Sequence, residues 1–222
     1  MKSLRIILLA TAIILNSQFS ILNSAQAQIT HTANGNVDET ANKILKAAAD
    51  KLGKSAVRFS VTVVNYDSDH KETFRQKASV TYKAPSYVVQ AGDLELYCDG
   101  VSVWQVNKKA SEVVITTMTD ADDNLTNPAR LLATYNKNFR AKYIRQEEDG
   151  TAIIDLQPRK ACSYHKLRLF IDTKTSQIKK IEQHNYDSSR GEYTFSNYTK
   201  CKTPPDFFTY TPPKNYEVVD MR

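Results

Sequence analysis

Hydrophobic residues along this 222-residue chain follow two different spacings. Between residues 38 and 53 they recur every three or four positions, which is the period of an amphipathic helix. From residue 57 onward apolar and polar residues alternate, which is typical of a strand with one face on a core and the other in water. The pattern therefore predicts an N-terminal helix followed by a mainly β chain. The apolar positions of the helix are Ala41, Leu45, Ala48 and Leu52.

Local signals mark the ends of two helices. Asn36 with Glu39 resembles a capping box before the first helix, and Gly53 suits its end. A second, shorter helix is predicted where Asn127 suits the N-cap and Pro128 the first helical position.

The second helix interrupts the strand pattern within a long connection, residues 120–135. We expect it to expose Leu131 and Leu132 side by side. Long connections of this kind often carry functional lids, so the segment is a lid candidate.

The alternating segments predict about ten or eleven strands joined mostly by short polar turns, and the simplest topology is an antiparallel meander. A sheet of that size tends to curl, and helices above it either complete a plain core or cover a ligand cavity. The pattern alone favours the plain core. The predicted strands are 57–63, 72–83, 87–90, 94–98, 101–107, 112–117, 140–147, 152–156, 166–171, 178–186 and 192–198.

A hairpin is predicted between Leu96 and Val106. Asp99 and Gly100 suit a tight two-residue turn with positive φ, and the single tryptophan, Trp104, follows four residues after Gly100. The alternation leaves open which face Trp104 takes, because its neighbours are also compatible with an apolar face.

The N-terminus has the organisation of a secretory signal. Lys2 and Arg5 precede an apolar run of about ten residues, which is too short for a membrane helix of about 20. A small-residue ending predicts cleavage after Ala27, and the next residue, Gln28, offers no lipid attachment point. We therefore expect residues 28–222 to form a single soluble domain in the periplasm, with a formal charge of about +4.

Signs of catalytic or metal chemistry are weak. The four histidines have no HExxH spacing, no nucleophile elbow is present, and the acidic run at residues 120–123 lacks the pattern of an EF-hand. The sequence therefore predicts a protein that is not an enzyme and has no catalytic residues, no metal and no cofactor. The modest, dispersed charge and the export signal also argue against nucleic acid as a partner. The cysteines, Cys98, Cys162 and Cys201, permit one disulfide in three possible pairings.

A series of short motifs follows one order along the chain. They are an amphipathic helix, a first strand with Phe59, a Lys-x-Pro turn, an L-x-x-DG-x-x-x-W hairpin, a helix beginning with proline, and a C-terminal F-x-Y-x-P-P then V-V-D-x-R. In this chain those motifs include Lys83, Pro85, Leu96, Asp99, Gly100, Trp104, Pro128, Phe208, Tyr210, Pro212, Pro213, Val218, Val219, Asp220 and Arg222. Their order resembles the outer-membrane lipoprotein carrier protein LolA family across nearly the whole chain after the signal.

The resemblance implies an unclosed, curved antiparallel half-barrel with a helical lid over an apolar concavity. Family members take lipoproteins from an inner-membrane ABC-type release complex, hold their acyl chains and pass them to an outer-membrane receptor. The resemblance thus implies acylated lipoproteins as cargo and a monomeric carrier. The main alternative is a related half-barrel module that binds lipids or glycolipids, or that senses lipoproteins.

Carried onto this sequence, the resemblance also implies a ligand-binding set. The lid residues would be Leu45, Leu52, Leu131 and Leu132, and the floor of the cavity would include Phe59, Val61, Leu167 and Leu169. The family often has an arginine before the proline of the Lys-x-Pro turn, where it helps to close the lid. Here that position is Ala84, so Lys83 is the candidate for lid closure, although an ammonium cannot reproduce a guanidinium fork.

Overall fold

The computed structural model describes residues 38–53, 55–118 and 128–222. The predicted signal peptide, the residues up to 37, and Asn127 lie outside the described residues. Within the described ranges, no helix has the length and apolar character needed to cross a bilayer. The elements in chain order are α1 (Glu39–Gly53), β1 (Val57–Tyr66), β2 (Glu72–Lys83), β3 (Ser86–Ala91), β4 (Leu94–Cys98), β5 (Ser102–Asn107), β6 (Glu112–Thr117), α2 (Pro128–Asn138), β7 (Phe139–Gln146), β8 (Thr151–Pro158), β9 (Tyr164–Asp172), β10 (Gln177–Asn185), β11 (Arg190–Lys200) and β12 (Glu217–Asp220).

Helix α1 begins with Asp38 as its N-cap, and Asn36 of the predicted capping box lies outside the described residues. The Asp38 carbonyl accepts the first helical hydrogen bond, from the Asn42 amide at 3.0 Å. Its carboxylate oxygen Oδ1 accepts a hydrogen bond from the Ala41 amide at 2.9 Å. Aspartate is among the best N-cap residues because its side chain satisfies a helical amide that has no partner within the helix.

All twelve strands form one sheet, and the prediction of a simple meander is only partly right. Strands β1 to β6 form one meander and β7 to β11 a second, and the two meet where β1 pairs with β11. Phe59 of β1 reinforces this junction, because its ring lies 5.9 Å from Phe195 and 5.1 Å from Tyr198 of β11. In the described chain the terminal strands, β7 and β12, do not pair with each other, so the sheet is unclosed.

The twelfth strand was not predicted. Residues Glu217–Asp220 pair with β6 in parallel, with Val218 opposite Val113 and Val219 opposite Val114. Four residues are too few to show a clear alternation, and their partner lies about a hundred residues earlier in the chain. The strand is therefore formed by tertiary pairing and not by a local signal.

The β4–β5 hairpin is confirmed, but its connection is longer than the predicted two-residue turn. Strand β4 ends at Cys98 and β5 begins at Ser102. Asp99 Oδ1 accepts hydrogen bonds from the amides of Val101 and Ser102, both at 2.8 Å, and Gly100 has a φ of +99°. A side chain at Gly100 would meet the ring of Pro85 at 2.6 Å. The Asp-Gly and Lys-x-Pro turns are therefore packed against each other.

The two faces of the sheet carry separate apolar clusters. The inner cluster lies between the sheet and the helices and contains side chains from most strands, including Val103 of β5. The outer cluster contains Trp104, Val106, Val113 and Ile115, and the C-terminal segment covers it with Tyr210 and Tyr216. Trp104 therefore belongs to the outer face, which resolves the question that the alternation left open.

Candidate functional site

Helix α1 supplies one part of the inner cluster. Its four predicted apolar positions are all buried, and the polar residues between them, such as Lys43 and Lys46, are exposed. The helix lies over β7 and β10 and against α2. The sequence period thus predicted correctly which side of α1 faces the sheet, with Leu45 and Leu52 directed into the cluster.

Helix α2 supplies the second part, and here the expected exposure of the lid leucines is wrong. Leu131 and Leu132 are 8% and 2% exposed and belong to the inner cluster. Both can be buried because α2 packs between α1 and β7, so more than one side of this short helix has a neighbour. The exposed residue beside them is Ala133.

Two hydrogen bonds connect the helices to each other and to the sheet. The Tyr135 hydroxyl of α2 donates to Asn42 Oδ1 of α1 at 3.0 Å. The second oxygen of Asp38, Oδ2, accepts from the Tyr143 amide of β7 at 2.7 Å. Hydrogen bonds from the Ala41 and Tyr143 amides hold the pKa of Asp38 below its ordinary value.

Sequence reasoning did not identify these connecting residues. A tyrosine and an asparagine on two separate helices show no relation in the sequence, and the helix pattern of α2 was too short to orient Tyr135. The acidic residue before α1 was a usable signal, because aspartate directly before an apolar helical period is a common N-cap.

The predicted floor residues lie opposite the helices. Phe59 and Val61 on β1, and Leu167 and Leu169 on β9, are all at most 1% exposed. They belong to the same inner cluster as the four helix leucines, so the structure brings all eight predicted residues together. The structure thus assigns the parity of these strands, although it does not test whether the residues contact a ligand.

The outer face of the second meander is polar, in contrast to the apolar inner face. Asp155 of β8 forms a two-pronged ion pair with Arg168 of β9, with Nε to Oδ1 at 2.7 Å and Nη2 to Oδ2 at 2.9 Å. This hydrogen bonding raises the pKa of Arg168. Arg190 and Glu192 of β11 form a further ion pair at 2.8 Å. The ion pairs make this face polar, so the apolar surface that could receive a hydrocarbon is the inner one.

The inner cluster offers a ligand apolar contact. Among the described residues, no group of three or more histidine, cysteine or acidic side chains could hold a metal ion. The inner side chains of the second meander pack against the helices, so a ligand chain that enters between them displaces α1 or α2 from the sheet. What the site can do is exchange contacts between helix and sheet for contacts between ligand and sheet.

A family model described as outer membrane lipoprotein carrier protein LolA matches residues 80–211. This chain belongs to that family. The matched region runs from β2 to the C-terminal segment that covers Trp104. The LolA family consists of carrier proteins and not of enzymes, in agreement with the apolar inner face.

An individual relative gives a partial match. The chain is 28% identical over 128 residues to an outer-membrane lipoprotein carrier protein of Pectobacterium carotovorum subsp. carotovorum, and the match covers 57% of this chain and 61% of the relative. It therefore spans less than two thirds of the relative's length.

One solved structure shows the fold. A conserved protein from Thermus thermophilus, described as uncharacterized, matches with a TM-score of 0.57 and 12% identity, covering 82% of this chain and 99% of that protein. A LolA superfamily protein from Nitrosomonas europaea matches with a TM-score of 0.45 and 14% identity, covering 77% and 97%.

Lys83 is the predicted lid-closure residue because Ala84 stands where the resemblance implies that the family often has an arginine. Lys83 is exposed at the end of β2, and a cis bond joins Ala84 to Pro85. Among the described residues, no hydrogen bond or ion pair links the Lys83 ammonium to α2. Its role in lid closure stays a prediction.

Proposed function

We propose that this protein is a periplasmic carrier that binds the acyl chains of lipoproteins and moves them from the inner to the outer membrane. The observation that carries the proposal is the inner face of the unclosed sheet, which is apolar across both meanders and packs against the leucine side chains of two helices that lie over strands of the second meander. Membership of the LolA family supports it.

The packing of the helices against the sheet gives such a carrier a way to release its load. Each buried methylene contributes about 0.8 kcal/mol, so an acyl chain of about fifteen methylenes contributes on the order of 12 kcal/mol. Several fully buried chains would approach the ceiling of non-covalent affinity, about 18 to 21 kcal/mol. Here an incoming chain replaces the contacts of Leu45, Leu52, Leu131 and Leu132 with the sheet. Because one apolar contact replaces another, the net affinity is lower and the helices can compete the chain off.

The remaining assignments follow from this proposal. The signal is cleaved after Ala27, and residues 28–222 act as one domain and as a monomer in the periplasm. The partners are acylated lipoproteins, an inner-membrane ABC-type release complex and an outer-membrane receptor. Leu45, Leu52, Phe59, Val61, Leu131, Leu132, Leu167 and Leu169 contact the acyl chains, and Lys83 contributes to lid closure.

The proposal is tested by expressing the full chain with a C-terminal tag, purifying it from the periplasm and identifying bound molecules by mass spectrometry. We expect acylated proteins. Bound glycolipid or phospholipid without acylated protein would favour the alternative of a related lipid-binding module. Absence of any acyl ligand, together with no uptake of an added fluorescent fatty acid, would contradict a carrier function.

A pair of variants on α2 connects the uptake to the inner face. Leu132→Glu places a carboxylate at the buried surface and should abolish uptake of the fluorescent acyl probe. Ala133→Glu introduces the same group at the adjacent exposed position and should leave uptake unchanged. Circular dichroism checks that both variants keep the sheet. Equal loss of uptake in both variants would show that the effect is not specific to the inner face.

A further inference from the structure

Gln183 is a polar residue within the apolar inner face. It follows Ile181 by two residues on β10, and its Cα partners are Leu167 on β9 and Gly191 on β11, so it faces the inner cluster. Its residue is only 5% exposed. The carbonyl oxygen Oε1 is buried and has no hydrogen-bond partner among the described residues. A buried acceptor without a donor is unfavourable, so this oxygen is suited to receive a donor from a ligand.

A directional chain of hydrogen bonds fixes which end of the Gln183 amide is available. Asp187, a carboxylate at a turn, accepts the single hydroxyl proton of Ser189 at 2.6 Å. Ser189 Oγ must therefore accept from Asn185 Nδ2, at 2.9 Å. The Asn185 carbonyl then accepts from Gln183 Nε2, at 2.8 Å. Because each bond determines the direction of the next, the amino group of Gln183 donates to Asn185, and its carbonyl oxygen is left to accept from another donor.

The neighbouring strand places a donor at the same end of the inner face. Tyr193 of β11 packs against the inner cluster and lies over Gly191, where a β-carbon would be 3.4 Å from the Tyr193 ring and 3.7 Å from its hydroxyl. The same position is 3.4 Å from Asn65 Oδ1. Burial raises the pKa of Tyr193 to about 12, so its hydroxyl stays protonated and can donate. Because Gly191 is the Cα partner of Gln183, the buried acceptor of Gln183 and the hydroxyl of Tyr193 lie on neighbouring strands at the same end of an otherwise apolar floor.

We propose that Gln183 and Tyr193 bind the amide group at the head of an acyl chain, which lies between them because the N–H and the C=O of a trans amide point in opposite directions. Gln183 Oε1 accepts from the amide N–H, and the Tyr193 hydroxyl donates to the amide carbonyl. This inference rests on the proposed function and adds the class of ligand, which is an amide-linked acyl chain. An ester offers the carbonyl but no N–H, so it leaves Gln183 without a donor. The arrangement also orients the ligand, with its polar head at the Gln183 end and its chain along the apolar strands.

The test compares two probes that differ in one atom, N-palmitoylglycine and its ester analogue, palmitoylglycolic acid. We expect the wild-type protein to bind the amide about tenfold more tightly, the effect of about one hydrogen bond to a buried acceptor. Gln183→Leu, which is close in size and removes the acceptor, should abolish this preference. Gln76→Leu is the control, because Gln76 donates within the protein, to the Ala91 carbonyl at 3.2 Å, and the preference should persist. Tyr193→Phe should weaken both probes by a similar factor because both have a carbonyl.

The outcomes separate this inference from the proposed function. Equal binding of the two probes by the wild type, or an amide preference that survives Gln183→Leu, overturns the inference and leaves the carrier function standing. Failure of the wild type to bind either probe contradicts the proposed function itself. Thermal unfolding checks that Gln183→Leu folds. If that variant does not fold, the two probes are compared on the wild type and on Tyr193→Phe. Equal binding of the probes by the wild type overturns the inference, and an amide preference in both proteins supports it.

Discussion

Asp38 connects α1 to the sheet, and two substitutions separate its two contacts. Asp38→Ala removes both the N-cap bond to Ala41 and the bond from the Tyr143 amide. Asp38→Asn keeps one carbonyl oxygen for the cap but turns an amino group toward the Tyr143 amide. Asparagine is as good an N-cap as aspartate, so the second variant loses mainly the contact with β7.

The expected losses follow from these contacts. An N-cap contributes about 1 kcal/mol, and the half-buried amide of Tyr143 loses a further amount of about 1 kcal/mol when it has no partner. We therefore expect the free energy of unfolding to fall by about 2 kcal/mol in Asp38→Ala and by about 1 kcal/mol in Asp38→Asn. Urea unfolding measures both, with the buried single tryptophan, Trp104, as the fluorescent reporter.

The contribution of Asp38 to the free energy of unfolding should depend on pH. The folded pKa of Asp38 is lowered, so its carboxylate stabilises the protein above the unfolded pKa and the stabilisation is lost as pH falls through the folded value. The difference between wild type and Asp38→Ala should be constant near neutral pH and shrink below about pH 4. If Asp38→Asn is as stable as the wild type, the hydrogen bond from the Tyr143 amide does not stabilise the attachment of α1 to β7.

Three further predictions concern separate parts of the molecule. Trp104→Ala should lower stability by about 3 to 5 kcal/mol but leave the affinity for an acyl probe unchanged, because Trp104 packs in the outer cluster; chemical denaturation and probe titration check this. Tyr135→Phe removes the bond from α2 to Asn42, about 1 kcal/mol of stabilisation of the helices that compete with the acyl chain, and should tighten probe binding about fivefold in a fluorescence titration; an unchanged affinity would argue against α2 as a lid. Gly100→Ala should lower the unfolding midpoint more than Gly92→Ala, because both have positive φ but only Gly100 meets Pro85; equal effects would contradict the packing of the two turns.

The sequence was a good guide where a face of an element could be recognised from its own residues. The period of α1 identified Leu45 and Leu52 as buried, and alternation in β9 placed Leu167 and Leu169 together on one face. The eleven predicted strands all exist, with ends that differ by a few residues. These features are local, since each depends on residues a few positions apart.

Features set by distant contacts could not be predicted. The pairing of β1 with β11 and the parallel addition of β12 to β6 join segments far apart in the chain. Val103 and Trp104 are both apolar, so alternation alone could not show which of them faces the helices. Trp104 faces outward, where Tyr210 and Tyr216 of the C-terminal segment cover it. The sequence could not predict that the Gln183 carbonyl oxygen lacks a donor, because this depends on a series of hydrogen bonds that extends from Gln183 to Asp187.

The central claim is that acyl chains bind between the inner face of the sheet and the two helices. The most direct measurement is photo-crosslinking of a palmitoyl probe with a diazirine near the end of its chain, followed by peptide mapping. We predict saturable adducts on inner-face strands, in the peptides that contain Leu169 and Phe195, and competition by unlabelled palmitate. Adducts mainly on the outer cluster around Trp104 and Val113, or adducts that do not saturate, would contradict the claim.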